Sequence, residues 1–325
     1  MAFPGRALMS IFAFLSILTI FNHLNSWGQP EIPLGNKGPQ VLSSSSSDEY
    51  QIGSEWGKKP VNQDYKQNDP NYQSVVNFTA RVSGATGFYL GQFNGHHVVA
   101  TNHHVCPQFF HCTLSPIKFP ELGISVRADK FIGTWSDIDL TLITVTVSPE
   151  EETQLQNWAK NFSFDEDIYP GQQLITAGFG IANNSKRQLM INMDSDCKVF
   201  SAYNEFRHMF DPDQINTGDY KAWSFANGCD VSHGDSGSAM VDRQTGKVVG
   251  IIWTGKIPKD ERIQDSQYLD QILQTNQQEE IWGALSYAVP AKKMKQHLLE
   301  KIDNGELESW KSDLLLQIIQ AGSEH

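Results

Sequence analysis

The sequence predicts an all-β fold, and three observations carry that prediction. Short runs of β-branched and aromatic residues recur along the chain, Gly, Asn and Asp punctuate them, and 25 glycines in 325 residues supply turns. With 39% apolar and 11% aromatic residues the chain can bury a large core, enough for one two-lobed domain of roughly 200 to 250 residues plus extensions. The net charge of −12, from 25 Lys and Arg against 37 Asp and Glu with no basic block, argues against a nucleic-acid or anionic-membrane partner.

In chain order, Met1–Arg6 carries one basic residue, an apolar run from Ala7 to Phe21 follows, and Ser26 and Gly28 offer small residues for cleavage. That is the pattern of a secretory signal peptide over 1–28. The run is too short for a membrane span of about 20 residues, so no stable span is expected after its removal. Residues 29–73 hold the serine run Ser43 to Ser47, then Asp48 and Glu49, and almost no periodic apolar pattern. They read as a flexible linker or pro-segment, mobile or laid over the body without a core of its own.

The body, 74–302, begins with three expected strands at Val75 to Val82, Gly87 to Phe93 and His96 to Thr101, the punctuation of an antiparallel meander. Ile124 to Phe131 and Leu140 to Val147 continue a first lobe of about 74–148, and a polar stretch of helical spacing from Pro149 to Lys160 links it to the second. That lobe, about 166–290, has expected strands at Gln173 to Phe179, Gln188 to Asn192, Asp196 to Ala202, Ala239 to Asp242, Lys247 to Trp253 and Gly283 to Val289. Tyr203 to Asn227 reads as loop, and the polar, Gln-rich stretch from Lys259 to Glu280 as an insertion. Pro290 to Lys301 and Glu306 to Gln320 have apolar spacings of three and four and read as helices, the second within an extension at 303–325.

The chemistry centres on Asp230-Val231-Ser232-His233-Gly234-Asp235-Ser236-Gly237-Ser238-Ala239. A Gly-Asp-Ser-Gly run on a tight loop sets a serine hydroxyl beside backbone N–H groups that point at one spot, the arrangement that stabilises an oxyanion. Ser236 is the candidate nucleophile, and it needs a histidine base oriented by a carboxylate. Thr101-Asn102-His103-His104-Val105 offers two histidines at the end of an apolar run. Neighbouring strand residues face opposite ways, so one of them serves; placing Thr101 at the head of a Thr-x-x-His pattern selects His104. Asp139 stands at the mouth of an apolar strand, with Asp137 as its competitor and the better fit to a solvated turn. The histidines at 96, 97, 103 and 104 supply no third and fourth ligand of fixed geometry for a metal. Four cysteines allow three pairings. Those expected are Cys106–Cys112, closing a tight loop beside His104, and Cys197–Cys229, tying a strand to the loop of Ser236, with free buried thiols as the alternative.

With His, Asp and Ser in that order at the edges of β segments, residues 74–300 resemble the chymotrypsin-like serine peptidases, and more closely their secreted bacterial V8 or glutamyl-endopeptidase branch. The resemblance implies two six-stranded antiparallel barrels with the triad between them, C-terminal helices, and no metal or cofactor. It implies His104 as general base and acid, Asp139 as its orienter, Ser236 as nucleophile, and the N–H groups of Gly234 and Ser236 as the oxyanion hole. The strand Ile252-Trp253-Thr254-Gly255 resembles the family's substrate-binding edge, where a peptide substrate adds as a further strand. The expected activity is exported peptide-bond hydrolysis through an acyl-enzyme, secreted or periplasmic, with a catalytically silent protein-binding homologue as the alternative. An esterase fits worse, because the Gly-x-Ser-x-Gly strand-to-helix context and its Ser, Asp, His order are missing.

Three positions bear on specificity and activation. Asp230 stands six residues before Ser236, where trypsin-like enzymes hold the acid at the base of the P1 pocket, but it also fits a structural turn residue. Ile252 replaces a histidine that the glutamyl branch carries, which leaves acidic P1 preference unsupported. Asp235 matches the aspartate that in trypsin-like enzymes pairs with a newly cut N-terminus, which would make residues 29–73 the removed piece; the alternative is an Asp that bonds its own loop. No basic residue followed by Ile-Val-Gly-Gly is present.

Overall fold

The computed structural model describes residues 47–61, 70–158, 164–213 and 220–323, all within one unit spanning 44–325. The expected signal peptide lies outside the described residues, as do 29–46 and 62–69. Residues 47–61 end in a two-residue strand, β1 (Lys59–Pro60), and Tyr50 and Ile52 are buried along the way.

The expected strand from Val75 splits into a helix, α1 (Pro70–Phe78), and a short strand, β2 (Thr79–Val82). Its valines invite a strand by propensity. Yet Tyr72, Val75, Val76 and Thr79 stand three and four apart, and all four are buried, so one helical face decides the conformation. From β2 the chain continues through β3 (Ala85–Phe93), β4 (His96–Thr101), a short helix α2 (Phe109–Thr113), β5 (Ile117–Phe119), β6 (Ile124–Trp135) and β7 (Leu140–Thr146). These six strands close an antiparallel barrel in the order β2-β3-β4-β7-β6-β5. Closure removes every edge. Helix α3 (Pro149–Trp158) then leads to the second lobe.

The second lobe is built from β8 (Leu174–Gly178), β9 (Met190–Asn192), β10 (Arg207–Phe210), β11 (Lys221–Asn227), β12 (Ala239–Asp242), β13 (Val248–Gly255), a helix α4 (Ser266–Thr275) and β14 (Ser286–Pro290). It is not the second six-stranded barrel expected, but an eight-stranded antiparallel sheet in the order β1-β9-β8-β12-β13-β14-β11-β10. The expected strand over 196–202 forms only isolated bridges, Gln173 to Lys198 and Val199 to Asn227. Asp194 Oδ1 accepts the N–H groups of Asp196 (2.7 Å) and Cys197 (3.1 Å), which turns the backbone there and interrupts a ladder. The segment Tyr203 to Asn227, expected as loop, contributes β10 and β11, the latter paired with β14. Lys59 pairs with Ile191 and Pro60 with Met190, so residues 59–60 are part of this sheet.

Helices α5 (Ala291–Asp303) and α6 (Ser309–Ala321) finish the chain as expected. Met294, Leu298, Leu314, Leu315 and Ile318 enter the core that also holds Val82, Phe88, Ile143 and Ile175. Helix α4 falls in the insertion at 259–280, capped by Asp265, whose side chain accepts from Gln267 N, and anchored by buried Leu269 and Ile272. Among the described residues, no helix is long and apolar enough to cross a membrane, and no group of three or more His, Cys, Asp or Glu side chains could hold a metal ion.

Candidate active site

Strand β4 delivers Thr101, whose hydroxyl donates to the Thr86 carbonyl at 2.7 Å, and the next turn places Asn102, His103 and His104. Asp139 follows a single helical turn at Ser136–Ile138 and adopts a left-handed conformation (φ 35°, ψ 47°) that short polar residues tolerate. That kink aims a fully buried carboxylate back at the histidine: Oδ2 meets His104 Nδ1 at 2.8 Å and Oδ1 accepts the His104 N–H at 3.0 Å. Asn102 Nδ2 donates to the Asp139 carbonyl at 2.9 Å and ties the two segments together. Asp137 is exposed, as a solvated turn residue would be.

His103 faces away, bonded through Nδ1 to Thr134 Oγ1 (2.7 Å) and stacked on Tyr220, and its burial lowers its pKa. His104 moves the other way. Burial alone would lower its pKa, but the charge and hydrogen bond of Asp139, with a smaller contribution from Asp211, raise it above the ordinary value. Tyr220 sets its edge against His104 and also touches Trp253, with ring centroids 6.3 and 5.6 Å apart. Its hydroxyl is held un-ionised, first by burial and then by the carboxylates of Asp139 and Asp211.

The loop carrying Ser236 is held by its carbonyls. Thr86 Oγ1 donates to Gly234 O (2.7 Å), Thr86 N to Ser236 O (3.0 Å) and Ile181 N to His233 O (2.9 Å). Gly234 has φ 98°, and a Cβ there would stand 2.7 Å from the Phe179 carbonyl, so the turn requires glycine. Among the described residues, the N–H groups of Gly234 and Ser236 donate to no backbone carbonyl. His104, Gly234 and Ser236 line one cavity of about 660 Å³, together with Val231, His233, Trp253, Thr254 and Gly255.

Two expected substrate contacts lie elsewhere. Ile252 is buried in the core of the second lobe, and its backbone is taken up by the nucleophile loop, through Gly237 N to Ile252 O and Ile252 N to Ser238 O, each 2.9 Å. Asp230 does not reach the cavity: its Oδ1 and Oδ2 accept the N–H groups of Ile52 and Gly57, each at 2.7 Å. Burial pushes the Asp230 carboxyl up to about 8, against the pull of those two amides, and burial likewise brings the Lys259 ammonium down to about 7.

The expected disulfides Cys106–Cys112 and Cys197–Cys229 are both formed. Several neighbours of the site carried no sequence signal. Asp211 accepts from Thr254 Oγ1 (2.5 Å), Asp213 bonds His233 Nε2 (2.7 Å), and Lys58 pairs with Asp235; the first two fall in an aperiodic stretch and the third in a polar one.

The family model of the trypsin-like peptidase domain matches residues 85–251. Solved structures similar to the chain include the inactive form of Rv3671c from M. tuberculosis H37Rv, at 15% identity and a TM-score of 0.46, covering 77% of this chain and 96% of that one. The active form of the Rv3671c protease from M. tuberculosis is similar at 14% identity and a TM-score of 0.45, over 71% and 84%. The HtrA-type protease AlgW with a tripeptide is similar at 12% identity and a TM-score of 0.43, over 73% and 64%. No curated protein matches the chain.

Proposed function

Since the chain belongs to the trypsin-like peptidase domain family, we propose that it is an exported serine endopeptidase in which His104, Asp139 and Ser236 form the catalytic triad. The observation that carries the assignment is the Asp139 to His104 pair, with Nδ1 bonded at 2.8 Å, facing the same cavity as Ser236. Asp139 holds the proton on Nδ1 and so presents Nε2 as the base. Ser236 Oγ gives its proton to that nitrogen as it attacks the scissile carbonyl, and the N–H groups of Gly234 and Ser236 receive the oxyanion. His104 then protonates the leaving amine, and a water activated by the same nitrogen releases the acyl group from Ser236.

Trp253, Thr254 and Gly255 supply the edge on which an extended peptide would lie. With Asp230 engaged by backbone amides, P1 preference falls to the residues that face the cavity, Val231, Ser232, His233, Asp213 and Thr254. The secreted V8-type branch remains a resemblance only: Asp235 matches the trypsin-like group instead, and an acidic P1 preference finds no support in Ile252. Export rests on the Ala7 to Phe21 pattern and agrees with two disulfides.

The test is a mixed peptide library incubated with the wild-type protein and with Ser236→Ala, every cut bond identified by mass spectrometry. Cuts made only by the wild type are expected. Identical cuts by both forms would place the activity outside Ser236, and a wild type that cuts nothing would sink the peptidase reading.

A further inference from the structure

Asp235, the residue before the proposed nucleophile, is 2% exposed and its carboxylate is saturated. Oδ1 accepts Gly180 N at 3.0 Å and pairs with the ammonium of Lys58, while Oδ2 accepts Ser232 N at 2.9 Å and Ser232 Oγ at 3.1 Å. The Lys58 side chain is 3% exposed, so the pair sits out of water. The carboxylate also rests directly on glycine backbone: a Cβ on Gly180 would stand 2.1 Å from Oδ2. Lys58 reaches this spot because its neighbours are pinned. Ile52 and Gly57 bond Asp230 on one side, and Lys59 and Pro60 pair with β9 on the other.

The Cys197–Cys229 disulfide anchors only the approach to the loop that these contacts brace, and nothing covalent sets the turn at Gly234. Gly234 takes φ of either sign at little cost, so once the loop loosens, the bond from Ile181 N to the His233 carbonyl is what remains to keep its N–H turned toward the cavity. Among the described residues Lys58 is the one cation paired with this carboxylate; without it the buried charge is uncompensated and would leave its site. That releases Ser232 and Gly180 and with them the turn that orients Gly234 and Ser236.

We propose that Lys58 is a positioning residue for catalysis: its ammonium, delivered by residues 50–60, fixes Asp235 and thereby the N–H groups of Gly234 and Ser236 in the uncut chain. This rests on the endopeptidase reading above. Residues 50–60 are then a working part of the enzyme rather than a piece removed to activate it, and no newly cut N-terminus is required.

Two measurements test it. The purified full chain is labelled with a serine-directed fluorophosphonate and its intact mass taken; the labelled species is expected to retain Lys58. Labelled species found only as chains cut beyond residue 58 would overturn the proposal. In parallel, Lys58→Ala is expected to lower kcat about 100-fold, the scale of losing one oxyanion donor, with KM little changed. Propylammonium, the missing fragment with its charge, should restore part of kcat while propanol does not. A folded Lys58→Ala protein with wild-type kcat, or equal recovery with propanol, would count against the charge. A wild-type chain that neither labels nor cuts would instead overturn the endopeptidase reading itself, and this proposal with it.

Discussion

His104 stands where two opposing influences meet, and the outcome fixes how activity responds to pH. Burial favours its neutral form, while Asp139 and Asp211 favour the cation and prevail, so its pKa lies above the ordinary value. The protonated pair therefore stabilises the fold below the ordinary histidine pKa, and that contribution is lost as pH rises through the raised one. Catalysis needs the neutral imidazole, so kcat/KM is expected to climb over the same rise. Asp211→Asn removes one of the raising charges and should move the midpoint of that climb to lower pH; a midpoint that stays or moves up would contradict the electrostatic account. Asp139→Asn should lower kcat by about 10⁴-fold through the wrong tautomer, read by steady-state kinetics on any peptide the wild type cuts. The residues of this proposed constellation were legible because the chemistry demands their types, and their His, Asp, Ser order at the edges of β segments resembles the chymotrypsin-like peptidases. Asp230 was legible as important but not in its role: its partners, the amides of Ile52 and Gly57, lie 178 and 173 residues away and belong to a stretch without pattern.

At the scale of elements, residues 47–61 behave as a strap across the second lobe. Asp230→Ala would orphan two buried N–H groups, and at about 1–3 kcal/mol each the variant should lose roughly 2–6 kcal/mol by denaturant unfolding. Its P1 preference in the peptide library should nevertheless match that of the wild type. A changed P1 preference with unchanged stability would return Asp230 to the pocket. The strands of the first barrel could be read from β-branched runs and turn residues, whereas α1 could not, because valines in a helix look like valines in a strand until the burial at 72, 75, 76 and 79 is known. Strand β11 hid for a related reason: Lys221-Ala-Trp-Ser-Phe-Ala-Asn227 has no clean alternation, since Ser224 to Asn227 are all buried although the strand lies next to the edge strand β10. The insertion at 259–280 kept α4 hidden because its inward face is short: Leu269 and Ile272 are buried, with Tyr268 and Leu273 partly buried beside them.

At the scale of the molecule, a closed barrel and an eight-stranded sheet share one core, and two disulfides restrain the unfolded chain by different amounts. Cys197 and Cys229 are 32 residues apart and Cys106 and Cys112 only 6. Loop-closure entropy assigns them about 3.7 and about 2 kcal/mol. Replacing each pair by alanines should rank them in that order in chemical denaturation; the reverse ranking would show that native-state effects dominate. The all-β class and the two lobes could be read from composition and punctuation. The shape of the second lobe could not, since the bend at Asp194 to Cys197 depends on side-chain capping that no periodicity encodes.

The strap also bears on when the protein can act. Its bonds to Asp230 and Asp235 close loops of 173 to 178 residues, which places them among the non-local contacts that carry a large loop-closure cost. A nascent or half-folded chain has its serine but not the brace that shapes the loop around it. Cutting power then arrives only with the completed fold, and in refolding experiments the recovery of activity should trail the recovery of β structure. Such a lag would spare the chain from digesting its own unfolded neighbours during synthesis, using nothing more than the distance along the sequence between residue 58 and residue 235.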